Sequence, residues 1–166
     1  LECYDPEGNR LWISDQPHGF SSQDQHATPL FADFNEDGQT EIYIANMIFE
    51  GATGRSLIRG SANDHRGAQD ARQQGYRFFS PVAADVLADS ICTFCEGLEL
   101  ITGGQVYAVD LVTESLQLVA NVDTSLYGDG FTAVNYMNAD GVLDIVVAER
   151  RGEDLNIYVW VPVSQQ

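Results

Sequence analysis

The sequence predicts an all-β fold. Alternating apolar and β-branched residues, the pattern of strands, occur at residues 41–44, 98–101 and 144–147. No segment shows the sustained helical period of a long amphipathic helix. The chain has 166 residues, of which 44% are apolar, and this size and composition are typical of one ordinary domain with a hydrophobic core.

A turn-rich loop precedes each of these runs, and the loops repeat along the chain. Their first positions are 33, 85 and 136, which are 52 and 51 residues apart. A fixed period of about 50 residues indicates a propeller or a solenoid, and repeats built only from strands favour the propeller. The sequence therefore predicts about three β-propeller blades. Because closed propellers typically contain about four to eight blades, we expect the chain to be part of a larger propeller.

The period divides the chain into four segments. Residues 1–27 are predicted to be the end of a preceding blade, as a hairpin, followed by a loop. Residues 28–76 form the first repeat, 77–127 the second repeat with an insertion, and 128–166 a third, incomplete repeat. Within the first repeat, residues 61–75 contain no aliphatic residue larger than alanine. This stretch predicts an exposed loop or a short polar helix.

The first loop, residues 33–41, has the composition of a calcium site. Oxygen-bearing side chains stand at every second position, Gly38 permits a sharp turn, and a carboxylate returns three residues later. Calcium takes about six to eight oxygen ligands. An EF-hand is excluded because Ile44 stands where its last glutamate should be and a strand follows. The predicted ligands are the side chains of Asp33, Asn35, Asp37 and Glu41 and the main-chain carbonyl of Gln39.

The other two loops keep only part of this pattern. The third loop, residues 136–144, begins with Tyr136 but retains three oxygen-bearing residues. In the second loop, residues 85–99, Leu87 replaces the oxygen ligand at the third position and an insertion displaces the glycine. Calcium ligands are therefore predicted in the third loop and not in the second. They are Asn138, Asp140 and Asp144.

The run Ala-Asp-Phe-Asn-Glu-Asp-Gly, followed by Glu-Ile-Tyr-Ile, resembles the FG-GAP/VCBS repeat of integrin-type β-propellers. The segment from Cys95 to Asp110 similarly resembles FG-GAP segments in large bacterial surface proteins. The resemblance covers nearly the whole chain, although only the first copy is close to a full match. It implies calcium bound between the strands of a blade, and a secreted or cell-surface protein.

The net charge of the chain limits the classes of partner that it can bind. There are 25 acidic and 8 basic residues, for a net charge of −17. Nucleic acid and anionic membranes need clustered positive charge and are therefore excluded as partners, whereas divalent cations are favoured. The acidity also fits a role in solubility or in a salty medium. The chain begins at Leu1 without a signal peptide or a long apolar run, as expected of a mature or excised segment that does not insert in a membrane.

Two of the three cysteines are close together in the insertion of the second loop. Cys92 and Cys95 have the spacing of a short disulfide, of two free thiols or of half a metal site. A disulfide is the preferred interpretation because an extracellular setting permits it. Cys3 is then unpaired or bonded outside this chain.

No motif of an enzyme is found. The sequence contains no nucleophile elbow, no zinc-protease motif and no phosphate-binding glycine loop, and we predict no catalytic residues. The favoured function is a calcium-binding extracellular module for adhesion or interaction, with a protein or a glycan as ligand. Its expected partners are further blades of the same chain or a partner subunit. The alternatives are the non-catalytic scaffold of a polysaccharide-degrading enzyme and a structural repeat of a surface filament.

Overall fold

The computed structural model describes residues 1–15, 26–60, 65–71, 76–91 and 95–162. The described residues are rich in β-strands and contain no α-helix. The predicted all-β class is therefore confirmed. None of the described segments forms a helix with the length and hydropathy that a membrane span requires.

The described residues form sixteen strands. They are β1 (Glu2–Tyr4), β2 (Arg10–Ile13), β3 (His26–Ala27), β4 (Leu30–Ala32), β5 (Glu41–Ile44), β6 (Met47–Glu50), β7 (Ser56–Arg59), β8 (Ala68–Ala71), β9 (Tyr76–Phe79), β10 (Val82–Ala84), β11 (Glu99–Thr102), β12 (Gln105–Asp110), β13 (Ser115–Asn121), β14 (Phe131–Asn135), β15 (Asp144–Arg151) and β16 (Asp154–Trp160).

These strands pair into five sheets. The N-terminal hairpin is β1–β2, sheet 1 is β4–β5–β6–β7, sheet 2 is β10–β11–β12–β13, and sheet 3 is β14–β15–β16. All pairs in these four sheets are antiparallel between strands that are consecutive in the chain. The fifth sheet, β3–β9–β8, is mixed because β3 runs parallel to β9.

The hairpin and sheets 1, 2 and 3 stack face to face in chain order. Each of the three interfaces is filled by its own apolar cluster. Between the hairpin and sheet 1, Leu1 and Trp12 pack on buried Ile42, Met47 and Phe49. The two larger clusters lie between sheets 1 and 2 and between sheets 2 and 3, and they follow in that order. The first contains Phe34, Tyr43, Ile48, Ile58, Leu100, Tyr107 and Val109, and the second contains Val86, Leu87, Cys95, Ile101, Val106, Ala108, Ala120, Ile145 and Val147.

Polar contacts also join the sheets. The Ala83 N–H donates to the Tyr43 hydroxyl, at 3.1 Å, across sheets 1 and 2. The Gly103 N–H donates to the Thr132 hydroxyl, at 2.7 Å, across sheets 2 and 3. These bonds satisfy polar groups that stacking removes from water.

The mixed sheet differs from the sequence prediction. Residues 68–71 form β8, so the expected loop or polar helix over 61–75 is wrong for this part. β8 pairs with β9, and β9 pairs in turn with β3, which lies in a stretch predicted to be a loop. Main-chain pairing creates these strands: β8 pairs with the following strand β9, and β3 pairs with β9 from about 50 residues away. The composition of β8 lacks the apolar alternation that would have indicated a strand.

The stacked sheets fall inside the predicted repeat segments. Sheet 1 lies within residues 28–76, sheet 2 within 77–127 and sheet 3 within 128–166. The mixed sheet crosses these boundaries, because its three strands come from the first three segments. None of the sheets formed by the described residues closes on itself. The fold therefore places a series of loops at the edges of stacked antiparallel sheets.

Candidate metal centre

The first loop connects β4 to β5 and is ordered by its own carboxylates. The two oxygens of Asp33 accept hydrogen bonds from the N–H groups of Asp37, at 3.0 Å, and Gly38, at 2.8 Å. The Asp37 carboxylate accepts from the N–H of Gln39 at 2.8 Å. Each acid therefore holds the main chain two to five residues further on, as aspartates do in tight turns.

The remaining members of the loop gather around Asp37. The side-chain amide of Asn35 donates to its carboxylate at 3.0 Å, and the side chain of Gln39 approaches the same oxygen at 3.4 Å. Gly38 has a φ of +86°, in the left-handed region that favours glycine. This backbone turn brings the oxygen-bearing side chains of the loop to one exposed end of sheet 1.

Glu41 is the only predicted ligand of the first loop that is fully buried. It begins β5, and its carboxylate accepts a hydrogen bond from the Phe34 N–H at 3.0 Å. Burial raises the pKa of Glu41, the Phe34 hydrogen bond opposes this, and the charges of Asp37 and Asp33 raise it further. In this structure Glu41 fastens the loop to the sheet.

The same kind of hydrogen bond, from a loop N–H group to a buried acid at the start of a strand, recurs in the other two loops. The buried carboxylate of Glu99 accepts from the N–H groups of Val86, at 2.9 Å, and Leu87, at 3.1 Å. The buried carboxylate of Asp144 accepts from the Met137 N–H at 2.9 Å. In all three repeats, an acid at the start of the second strand thus accepts hydrogen bonds from the main chain of the loop before it. We call these three residues, Glu41, Glu99 and Asp144, the fastening acids.

The third loop repeats part of the geometry of the first. Asn138 accepts from the Asp140 N–H at 2.8 Å, and Asp140 accepts from the Val142 N–H at 2.9 Å. These two bonds match those of Asn35 and Asp37 position by position. Tyr136 stands where the first loop has Asp33, so the third loop has one carboxylate fewer.

In the described part of the chain, no group of three or more His, Cys, Asp or Glu side chains is placed to hold a metal ion. In the first loop Asp33 and Asp37 bond to main-chain N–H groups, and Glu41 does the same on the sheet side. The donors nevertheless match a hard cation in chemistry, since all are carboxylate or amide oxygens. Calcium at the first and third loops stays a prediction.

The second loop packs against the first. After a 3₁₀ turn at Asp89–Ile91, the chain returns so that the Leu98 N–H donates to the carbonyl of Phe34 at 2.9 Å. Gly97, with a φ of +89°, lies against that same carbonyl, and a Cβ there would overlap its oxygen. The conformation of the first loop is therefore tied to that of the second.

The cysteines are only partly described. Cys92 lies outside the described residues, so the predicted Cys92–Cys95 disulfide stays a prediction. Cys95 is buried in the cluster between sheets 2 and 3. Cys3 is a free cysteine and is half-buried.

A cavity of about 540 Å³ adjoins the first loop. It lies between that loop, the N-terminal hairpin and the β6–β7 turn. Its walls combine acids and amides with an arginine and two aromatic rings, one of which, Phe31, is largely exposed. The residues that matter for its chemistry are Trp12, Phe31, Asn35, Asp37, Glu41, Glu50 and Arg55.

Comparison with protein-family models, curated proteins and solved structures finds no match to this chain. The resemblance to the FG-GAP/VCBS repeat therefore stays a prediction that depends on the loop residues quoted above.

One residue of this region was not singled out from the sequence. Glu99 stands at the start of β11, and burial raises the pKa of its carboxyl to about 7. The signal was present in the spacing, because Glu41, Glu99 and Asp144 each begin the strand that follows a loop. The burial that gives Glu99 its role depends on sheet stacking, which the spacing does not show.

We expect Gly97→Ala to destabilise the protein far more than Gly152→Ala. Both glycines have a positive φ, at +89° and +72°, but only the Cβ at position 97 would meet other atoms, those of Phe34. The backbone strain common to both sites costs about 1–2 kcal/mol, and displacing the Phe34 carbonyl should add about 2 kcal/mol or more at position 97. Urea unfolding of both variants measures this, and equal losses would contradict the contact between the loops.

We also expect Glu99 to make stability depend on pH. Burial raises its pKa from 4.5 to about 7. The folded state therefore holds a proton that the unfolded state has released, and the stability this provides is lost as the pH rises through about 7. Relative to Glu99→Gln, the wild type should lose about 1–3 kcal/mol in free energy of unfolding between about pH 5 and about pH 8.

Urea unfolding across that range, in a chelating buffer, tests the prediction for Glu99. Glutamine keeps an oxygen to accept the Val86 and Leu87 N–H groups, so the variant isolates the charge. Glu153→Gln removes one acid from an exposed turn and serves as the control. Parallel pH profiles for wild type and Glu99→Gln would show that Glu99 is ionised in the folded protein throughout.

Proposed function

We propose that this chain is a calcium-binding module of the β-propeller type that serves extracellular adhesion or interaction. The observation that carries the proposal is the first loop, where Asp33, Asn35 and Asp37 present oxygens from one ordered turn at the edge of a stacked sheet. The same turn geometry at Asn138 and Asp140 supports a repeated function.

The propeller architecture is supported by the sheets themselves. Sheets 1 and 2 are each four-stranded antiparallel meanders, and each packs face to face on the next. Four-stranded sheets are the typical blades of propellers. Sheet 3 has three strands among the described residues. Further blades of the same chain, or of a partner subunit, would complete such a propeller.

Calcium at the first loop would reduce the electrostatic repulsion between its carboxylates. Asp33 and Asp37 lie in one short turn, and their mutual repulsion is opposed only by main-chain N–H groups and amides. A divalent ion neutralises both charges. Asp33, Asn35, Asp37 and the Gln39 carbonyl would hold it from the solvent side, with Glu41 on the sheet side.

The third loop would bind calcium more weakly. Asn138, Asp140 and Asp144 provide two carboxylates there, against three in the first loop. Calcium affinity follows the number of charged ligands and the rigidity of the site. An exposed loop with few carboxylates fits the range of extracellular modules, about 10⁻⁴ to 10⁻³ M. Such affinities suit a secreted or cell-surface protein.

The cavity beside the first loop supports the interaction part of the proposal. Asn35, Asp37 and Glu41 reach its wall, so an oxygen-bearing ligand in the cavity could also contact a calcium ion held by the loop. Phe31 offers an exposed ring for stacking, and the Arg55 guanidinium, which pairs with Glu114 at 2.6 Å, lines the same cavity. A protein or glycan ligand would use these groups. If no ligand uses them, the scaffold of a polysaccharide-degrading enzyme and a surface-filament repeat are the remaining functions.

We expect calcium to bind at the first loop and Asp37→Ala to weaken this binding at least about tenfold, because the variant loses a charged ligand. Isothermal titration of chelator-treated protein measures the affinity. Glu36→Gln removes a charge from the same loop without removing a proposed ligand and should change the affinity by less than about threefold. Unaltered calcium binding in Asp37→Ala would refute the assignment.

We further expect ligand binding to require calcium and the cavity. A panel of immobilised glycans and a polysaccharide-degradation assay, run with calcium and with chelator, separate adhesion from catalysis. Phe31→Ala should reduce binding to any glycan that the wild type retains by about fivefold, since stacking on an aromatic ring contributes on the order of 1 kcal/mol. Its control is Val112→Ala, at an exposed position in the turn between β12 and β13. Degradation of a polysaccharide by the chain alone would contradict the non-catalytic proposal.

A further inference from the structure

Each stacked sheet uses its two faces in the same way. In the strand after each loop, one residue packs toward the preceding element and the next residue points to the opposite face. In sheets 1 and 2 the residue on that opposite face is buried against the following sheet. The backward-facing residues are Ile42, Leu100 and Ile145, and the forward-facing ones are Tyr43, Ile101 and Val146.

Among the described residues, no apolar cluster covers the forward face of sheet 3. Val146 pairs with Val159, and in the next row Ala148 pairs with Ile157. Ile157 is 65% and Val159 is 49% exposed. In register, this apolar surface is the equivalent of the faces that sheets 1 and 2 bury against their neighbours. We call it the forward face of sheet 3.

The opposite end of the stack is also apolar. The N-terminal hairpin turns Trp12 toward sheet 1, and its other face presents Tyr4, Leu11 and Ile13 to solvent. Leu11 is 63% and Ile13 is 55% exposed. This surface, the backward face of the hairpin, has the orientation that the forward face of a preceding sheet would contact.

We propose that the forward face of sheet 3 binds the backward face of the hairpin of a second copy of this chain, head to tail. Each of the three interfaces between the stacked sheets joins a forward face to a backward face, and this contact would continue that series. Charge disfavours pairing of two forward faces, because Arg150 lies on the forward face beside Leu155 and two copies would repel there. On the hairpin, Glu2 lies beside Ile13 and forms an ion pair with Arg10 at 3.9 Å, so the positive charge of Arg10 is compensated.

A head-to-tail contact is heterologous, so each copy uses two different surfaces. Repetition of such a contact produces a ring if the rotation closes and an open filament if it does not. The contact involves no residue of the three loops. The proposal therefore does not depend on calcium, and measurements with calcium and with chelator distinguish its failure from a failure of the proposed function.

Sedimentation velocity of the intact chain tests the contact, from about 1 μM to about 1 mM. Salt of about 1 M, which shortens the Debye length to about 3 Å, suppresses repulsion between chains of net charge −17. We expect concentration-dependent association of the wild type. Ile157→Arg and Leu11→Arg should each weaken self-association at least about tenfold, because each buries a charge in one side of the contact.

Mixing the two variants provides the decisive measurement. Ile157→Arg retains an intact hairpin and Leu11→Arg retains an intact forward face, so an equimolar mixture should form one-to-one pairs that neither variant forms alone. Val112→Arg adds the same charge at a position that is 94% exposed and outside both faces, and it should associate like the wild type. Near-UV circular dichroism checks the fold of each variant, and Ile13→Arg and Leu155→Arg replace any variant that unfolds.

Two results would overturn the proposal. A wild type that stays monomeric at every concentration would show that the two faces do not bind each other and that their partner differs from this chain. Self-association of Leu11→Arg equal to that of the wild type would show symmetric pairing of two forward faces instead.

Discussion

The structure depends on strands that are apolar on both faces. Ile42 and Tyr43 in β5, and Leu100 and Ile101 in β11, are neighbours in sequence that point in opposite directions, and all four are buried. A sheet with two apolar faces cannot rest against a single partner. It needs a neighbour on each side, and this requirement turns a series of short meanders into a stack.

The fastening acids connect this stack to the loops. A carboxylate buried between sheets loses its hydration, and the loss must be offset by hydrogen bonds. Glu99 obtains two such bonds from the main chain of its loop, whereas Glu41 and Asp144 each obtain one from theirs. The loop N–H groups are satisfied by the same bonds. The loops are thus held in place by core residues, and a change in packing at the strand start would be transmitted to the exposed acids.

The sequence was sufficient to predict the strands that alternate and the loops that carry acids. The predicted strands at 41–44 and 144–147 agree with β5 and with the start of β15. It was insufficient for β8, because Ala-Gln-Asp-Ala has no apolar period and becomes a strand only by pairing with β9. It was also insufficient for the position of Glu41. A carboxylate at that spacing suits a metal ligand and a buried main-chain acceptor equally, and only the stacking of sheets shows that it is buried.

The proposed calcium loops and the two apolar end faces are separate surfaces, and that separation allows two kinds of binding at once. The exposed carboxylates of Asp37 and Asp140 lie in loops at the sheet edges, whereas Leu11 and Ile157 lie on sheet faces at the two ends of the stack. A cation or ligand at a loop does not occupy a face. Loop binding is linked instead to the stacking inside the chain, because the Phe34 carbonyl of the first loop accepts a hydrogen bond from the Leu98 N–H of the next repeat. Ordering the first loop therefore also orders the junction between sheets 1 and 2, so loop binding and stacking should reinforce each other in free energy.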